Sequence, residues 1–179
     1  ILTSDNITVS DNTINNNLYN GIYVNGAGAG SNHIITGNTI TGNANECSDG
    51  CGGILLEYED NCLIQDNNVS YNGYNGISLY ESYSNKILDN TVADNYNHGI
   101  RLAATGADVG SNNTVSGNTI IKGCIGIRVA TENNIITDNT IEGDGTFSCD
   151  YWGSNYGIKM DYRQMPPENN YLSNNRVSG

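Results

Sequence analysis

Apolar positions along this chain fall into two short patterns that repeat from one end to the other. The first is Gly-Ile-x-(Val/Leu/Met), at Gly21-Ile22-Tyr23-Val24, Gly53-Ile54-Leu55-Leu56, Gly76-Ile77-Ser78-Leu79, Gly99-Ile100-Arg101-Leu102, Gly126-Ile127-Arg128-Val129 and Gly157-Ile158-Lys159-Met160. Its aliphatic residues stand two apart, the period of a β-strand that sends one side chain in and the next out. Six copies at spacings of 32, 23, 23, 27 and 31 residues are too far apart for hairpins. They read as one strand per turn of a solenoid. The residue between the aliphatic pair then forms an outward-facing column: Tyr23, Leu55, Ser78, Arg101, Arg128 and Lys159.

The second pattern is an aliphatic residue followed five positions later by another: Val9/Ile14, Ile35/Ile40, Ile64/Val69, Ile87/Val92, Val115/Ile120, Ile136/Ile141 and Leu172/Val177. Two residues before the second always lies an asparagine: Asn12, Asn38, Asn67, Asn90, Asn118, Asn139 or Asn175. A constant spacing marks a corner that tolerates no insertion. Asparagine accepts the left-handed backbone that a sharp corner needs. Its amide, stacked coil on coil, also bonds to the copies above and below. A further Asn-rich position precedes the first aliphatic: Asn6, Asn32, Asn61, Asn112, Asn133 and Asn169, with Ser84 in the shorter coil. The fold class expected is all-β, a single-stranded parallel β-helix of about seven coils with three short strands each.

The unbroken repeat makes residues 1–179 one domain. The first residue is Ile, no signal peptide or transmembrane run is present, and neither end resembles a polar cap. A fragment of a longer surface or secreted protein is therefore expected. Insertions flank the Gly-Ile strand. They lie before it at residues 41–52 and 142–156, and after it at residues 25–31, 103–111 and 161–168. Loops raised beside one strand face would wall a groove over it, and loops on a rigid scaffold are where binding concentrates.

Charge sharpens this picture. A net charge of −12 with only seven Lys and Arg disfavours nucleic acid and anionic membranes as partners. Three of those cations, Arg101, Arg128 and Lys159, share the outward column, and Arg163 follows the last strand. Like charges stacked at strand spacing are unfavourable. Either they meet a polyanion such as a polysaccharide's uronate or sulfate groups, or neighbours such as Asp161, Glu132 and Glu57 pair with them. All but one of the 12 tyrosines, together with Trp152, lie in the Gly-Ile strand or its flanking loops. Aromatic platforms with polar tips suit sugar rings. His98, next to Arg101, is a candidate general acid or base. Acid groups at Glu57-Tyr58-Glu59-Asp60, Glu46 with Asp49, and Asp144 with Asp150 offer hard oxygens for Ca2+, though in no recognised calcium spacing.

The five cysteines are Cys47, Cys51, Cys62, Cys124 and Cys149. They read as disulfides stapling loops or as a thiolate metal site. Only two histidines and no second closely spaced Cys pair accompany them, which favours disulfides. Sequons at Asn6, Asn68 and Asn112 fit an exported chain, extracellular or at the cell surface.

Gly-Ile-x-Leu with Asn-x-Ile at three strands per coil resembles the right-handed parallel β-helix repeat family. That family includes the pectate-lyase-like enzymes, the copper-site maturation protein NosD, and carbohydrate-binding and sugar-hydrolase domains. The Asn/Tyr-rich texture also resembles methanogen surface proteins such as the disaggregatases. The resemblance covers essentially the whole chain and implies a substrate lying along the Gly-Ile strand. It also implies Arg or Lys as a lyase base, a role that Arg101, Arg128 and Lys159 match in kind. The Asn-Thr-Asp and paired-Asp motifs of polygalacturonases are missing, as is the Asp-Pro-His-Glu of alginate epimerases.

The reading is a domain that binds and cleaves an acidic polysaccharide as a lyase or glycoside hydrolase. Arg101, Arg128, Lys159 and His98 would be catalytic, with Tyr23, Glu57, Tyr80, Trp152, Asp161, Tyr162 and Arg163 holding substrate. The alternative is a non-catalytic structural or adhesive surface-layer module that self-associates through exposed coil ends.

Overall fold

The computed structural model describes residues 5–26, 31–47, 50–105, 110–143, 155–161 and 167–179. Among the described residues the strands form three parallel sheets, the first two taking one strand from each of seven coils and the third one from each of six. The first sheet runs from Thr8–Ser10 through Ile34–Thr36, Leu63–Gln65, Lys86–Leu88, Thr114–Ser116 and Ile135–Thr137 to Tyr171–Ser173. The second runs from Thr13–Asn15 through Thr39–Thr41, Asn68–Ser70, Thr91–Ala93, Thr119–Ile121 and Thr140–Glu142 to Arg176–Ser178. The third holds Ile22–Asn25, Gly52–Glu57, Asn75–Tyr80, His98–Ala103, Ile125–Val129 and Tyr156–Met160. Six coils thus carry three strands and a seventh carries two. Among the described residues no helix is long and apolar enough to cross a membrane.

Register matches the sequence pattern column by column. Ile35 pairs with Ile64, Ile64 with Ile87, and Ile87 with Val115, so each strand places its middle residue in the core. Together with Ile22, Val24, Ile54, Leu56, Ile77, Leu79, Ile100 and Leu102 from the third sheet, these columns form one continuous apolar cluster.

The corners between the first and second sheets follow one rule: a residue in the left-handed region, then an asparagine. Between the first and second sheets the left-handed residues are Asp11, Gly37, Asp66, Asp89, Gly117, Asp138 and Asn174. The Asn12 column comes one residue later and has an ordinary backbone. The sequence reading gave both jobs to that asparagine; the structure divides them between neighbours. Asn67 shows what the amide does: its Nδ2 donates to Ile35 O at 2.9 Å, Gln65 O at 2.9 Å and Asn90 Oδ1 at 3.0 Å. Its Oδ1 accepts from the Asn38 N–H and Nδ2, both at 3.0 Å. The corner's backbone groups at Ile35 O, Gln65 O and Asn38 N are thereby paired inside the molecule.

Two further ladders occupy the other corners. Asn17, Asn43, Asn72 and Asn95 stack between the second and third sheets. Asn85, Asn113, Asn134 and Asn170 stack between the third and first.

Candidate functional site

Each third-sheet strand enters through a glycine because no side chain fits there. A Cβ on Gly53 would sit 2.4 Å from Val69 Cγ1, and one on Gly126 would sit 2.5 Å from both Ile141 Cγ2 and Gly157 O. The glycines let the third sheet press against the second, which fixes the register of everything that follows on the strand.

Two columns then face away from the core. The first is the expected one: Tyr23 pairs with Leu55, Leu55 with Ser78, Ser78 with Arg101, Arg101 with Arg128 and Arg128 with Lys159. The second lies two residues on: Asn25 pairs with Glu57, Glu57 with Tyr80, and Tyr80 with Ala103. Ala130 and Asp161 continue it, their N–H groups donating to Leu102 O and Val129 O. At ~4.8 Å per coil the six coils span about 25 Å, room for several sugar rings.

One end of this face is acidic and aromatic. The Tyr23 hydroxyl donates to the Glu57 carboxylate, and Asn25 Nδ2 donates to Tyr23 Oη at 2.6 Å and to Glu57 Oε2 at 2.9 Å. Burial, and then the bond to Glu57, raises the Tyr23 phenol above its ordinary value. Tyr80 Oη lies 2.6 Å from Thr105 Oγ1, which in turn donates to Glu81 Oε1 at 2.8 Å. The Tyr58 ring meets the Tyr80 ring edge-on, with centroids 6.1 Å apart.

The other end is basic, and here the structure departs from an open cationic stripe. Arg101 and Arg128 point away from the core yet are only 6% and 5% exposed. Arg101 Nη1 donates to Ser78 Oγ at 3.3 Å. Arg128 donates from Nε and Nη2 to Asp161 Oδ2 at 2.8 and 2.7 Å. Of the two arrangements open to the column, Arg128 takes the one with a carboxylate partner. Lys159 is half-buried, with its ammonium 5.2 Å from the centre of the Tyr156 ring. His98 opens its strand rather than lying in a loop. It is 2% exposed, and its Nδ1 is 2.7 Å from Asn75 Oδ1. Trp152, Tyr162 and Arg163 lie outside the described residues, as do Asp49, Asp144, Asp150 and Cys149.

The acidic run 57–60 does not converge on one cation. Glu57 stays on the outer face with Tyr23, Asp60 Oδ1 accepts from the Tyr83 N–H at 3.1 Å, and Glu59 is fully buried. Burial, then Asp60 and Asp5, pushes the Glu59 carboxyl up to about 7. Cys47 and Cys51 form a disulfide, and Cys124 is also disulfide-bonded. Cys62 is a free, buried thiol. Pattern reasoning missed Asn25, Glu81 and Thr105; counting two residues beyond Tyr23 would have found the first.

Among solved structures, the chain is similar to a threonine-to-asparagine variant of the periplasmic alginate epimerase AlgG. The two are 19% identical with a TM-score of 0.65, over 97% of this chain and 45% of that one. It is also similar to the A-module of the mannuronan C-5 epimerase AlgE4 from Azotobacter vinelandii, at 15% identity and a TM-score of 0.61, over 98% of this chain and 54% of that one. The chain spans about half the length of these structures, and the likeness is one of fold. No curated protein matches it. Residues 1–120 match the family described as right handed beta helix region. That is well over half of the 179 residues, and the chain belongs to the right-handed β-helix family.

Proposed function

We propose that this domain binds an acidic polysaccharide along the outer face of its third sheet and acts on it. The observation that carries this is the alignment of Arg101, Arg128 and Lys159 in adjacent coils of a chain with net charge −12. Three stacked cations in so acidic a protein favour a ligand bearing regularly spaced carboxylates. A bound uronate would compete with Asp161 for Arg128, while Tyr23, Tyr80, Trp152 and Tyr162 would offer ring faces, and Glu57 and Arg163 would hold sugar hydroxyls and acid groups. Cleavage as a lyase would take its base from Arg101, Arg128 or Lys159. His98, buried against Asn75, is assigned no acid–base role. The structural relatives named above are alginate epimerases, which supports a uronate polymer as the ligand. The Asp-Pro-His-Glu motif is absent here, so epimerisation is not proposed. The disulfides and the exposed sequon residues Asn6, Asn68 and Asn112 support a site of action outside the cytoplasm.

Lys159 supplies the cleanest test because it is less buried than the two arginines. Calorimetric titration should show saturable binding of a polyuronate and none of a neutral glucan. Lys159→Gln should weaken the polyuronate about tenfold, the loss of one charged hydrogen bond of ~1.4 kcal/mol. The same mixtures, followed for unsaturated uronate products, report lyase action. No saturable binding to any polyuronate removes the proposal.

A further inference from the structure

The ladder between the third and first sheets changes character in the early coils. Asn85, Asn113, Asn134 and Asn170 hold it from the fourth coil onward. In the second and third coils the same position holds His33 and Cys62. His33 still performs the ladder's backbone task, its Nδ1 accepting the Ile7 N–H at 3.2 Å. The Cys62 N–H donates to Asn85 Oδ1 at 2.8 Å, and its thiol donates to Asp60 O at 3.4 Å. Glu59 enters beside them, stacked over Ser82 of the next coil, whose Oγ accepts the Glu59 N–H at 3.1 Å.

All three side chains are sealed in, at 1% exposure for His33, 0% for Glu59 and 1% for Cys62. His33 Nε2 lies 3.3 Å from Glu59 Oε2, but neither carboxylate oxygen has a hydrogen-bond partner of proper geometry. A carboxylate buried in this way is destabilising unless something compensates it. A hydroxyl at position 59, like Ser82 in the next coil, whose Oγ donates to Tyr80 O at 2.9 Å, would avoid the problem. Instead the ladder gives way to an imidazole, a thiol and a carboxylate, whose ligand atoms all lie within 4.8 Å of one another.

We propose that His33 Nε2, a Glu59 carboxylate oxygen and Cys62 Sγ bind one borderline divalent cation of the zinc class inside the solenoid. Mixed nitrogen, sulfur and oxygen donors select such ions over calcium and magnesium. Bond lengths of ~2.0–2.3 Å put tetrahedral ligands ~3.3–3.8 Å apart, so closure requires side-chain shifts of about 1 Å. The fourth position is left to water. The proton balance is definite. The Cys62 thiol proton leaves, as does any proton on Glu59. The imidazole proton moves from Nε2 to Nδ1, and the half-buried Ile7 N–H turns away from the ring. This site lies on the other side of the coil wall from the glycan face, so it stands or falls independently of the proposed function.

The test is titration of the intact chain, disulfides kept and no thiol reductant present, with cobalt chloride. One equivalent should produce a thiolate-to-cobalt charge-transfer band that zinc abolishes, and zinc should raise the melting temperature. His33→Asn and Cys62→Asn install the residue that later coils carry at this position. Both should fold with wild-type circular dichroism while losing the band and the zinc-induced shift. Absence of band and shift in the wild-type chain would reduce the three residues to a buried polar cluster that binds no metal. A band that survives in Cys62→Asn would place the cation elsewhere. Either result overturns the proposal.

Discussion

Asn90→Ala is expected to remove about 4 kcal/mol of stability, a large share of what a domain of this size possesses. The Asn90 side chain donates from Nδ2 to Ile64 O, Leu88 O and Asn118 Oδ1 at 3.0, 2.9 and 3.0 Å. Its Oδ1 accepts the Asn67 N–H at 2.9 Å and Asn67 Nδ2 at 3.0 Å. Alanine would strand the Asn67 N–H in the interior and take one bond each from Ile64 O, Leu88 O, Asn118 Oδ1 and Asn67 Nδ2, Leu88 O keeping only the Asp66 N–H at 3.3 Å. Such losses cost ~1–3 kcal/mol where a group is left unpaired and add less than linearly. Asn12, at the exposed end of the same ladder, supplies the control. Water replaces its partners, so Asn12→Ala should cost under ~1 kcal/mol. Urea denaturation of the two variants checks this, and equal losses would show that the amides are ordinary turn residues.

Gly76→Ala should destabilise by about 3 kcal/mol through overpacking rather than lost bonds. The new methyl would lie 2.4 Å from Val92 Cγ1, 2.6 Å from Gly99 O and 2.8 Å from Asn95 Nδ2. The first contact presses on the second sheet, the second on the neighbouring strand's backbone and the third on an amide ladder, so relief in one direction worsens another. Gly143→Ala is the matched control. Its methyl would meet nothing closer than 3.7 Å, and the change should stay within ~0.5 kcal/mol. Thermal denaturation of both variants decides whether these glycines are there for space.

These two substitutions also show where sequence reading reached and where it stopped. The register of Ile35, Ile64 and Ile87 followed from a spacing of five, because a strand's alternation leaves one solution once the core column is known. The Asn12 column followed from the same spacing. The second ladder, from Asn17 to Asn95, stands a further five residues on and was equally legible. The third was obscured because His33 and Cys62 interrupt it, and a pattern sought as asparagine breaks where the chemistry changes. Parity placed Arg101 and Arg128 on the outer face, but it says nothing about what covers them, so their burial was beyond its reach. The Arg128–Asp161 pair was one of the two arrangements foreseen for the column, since Asp161 follows Lys159 by two residues and shares its face. Glu57 and Glu59 read as one acidic cluster in the sequence, yet they end on opposite sides of the wall. Two residues of extended chain would keep them on one face; the turn at Tyr58, with a φ of 56°, sends Glu59 inward.

The most direct test of the glycan face is backbone amide NMR during titration with a short oligouronate. The expected result is a saturable set of shifts confined to residues 23–25, 55–57, 78–80, 101–103, 128–130 and 159–161. The first and second sheets should stay still and the shifts should weaken as salt is raised. Saturable shifts centred on the first or second sheet, or none at any accessible concentration, would contradict the assignment of the third sheet as the binding face.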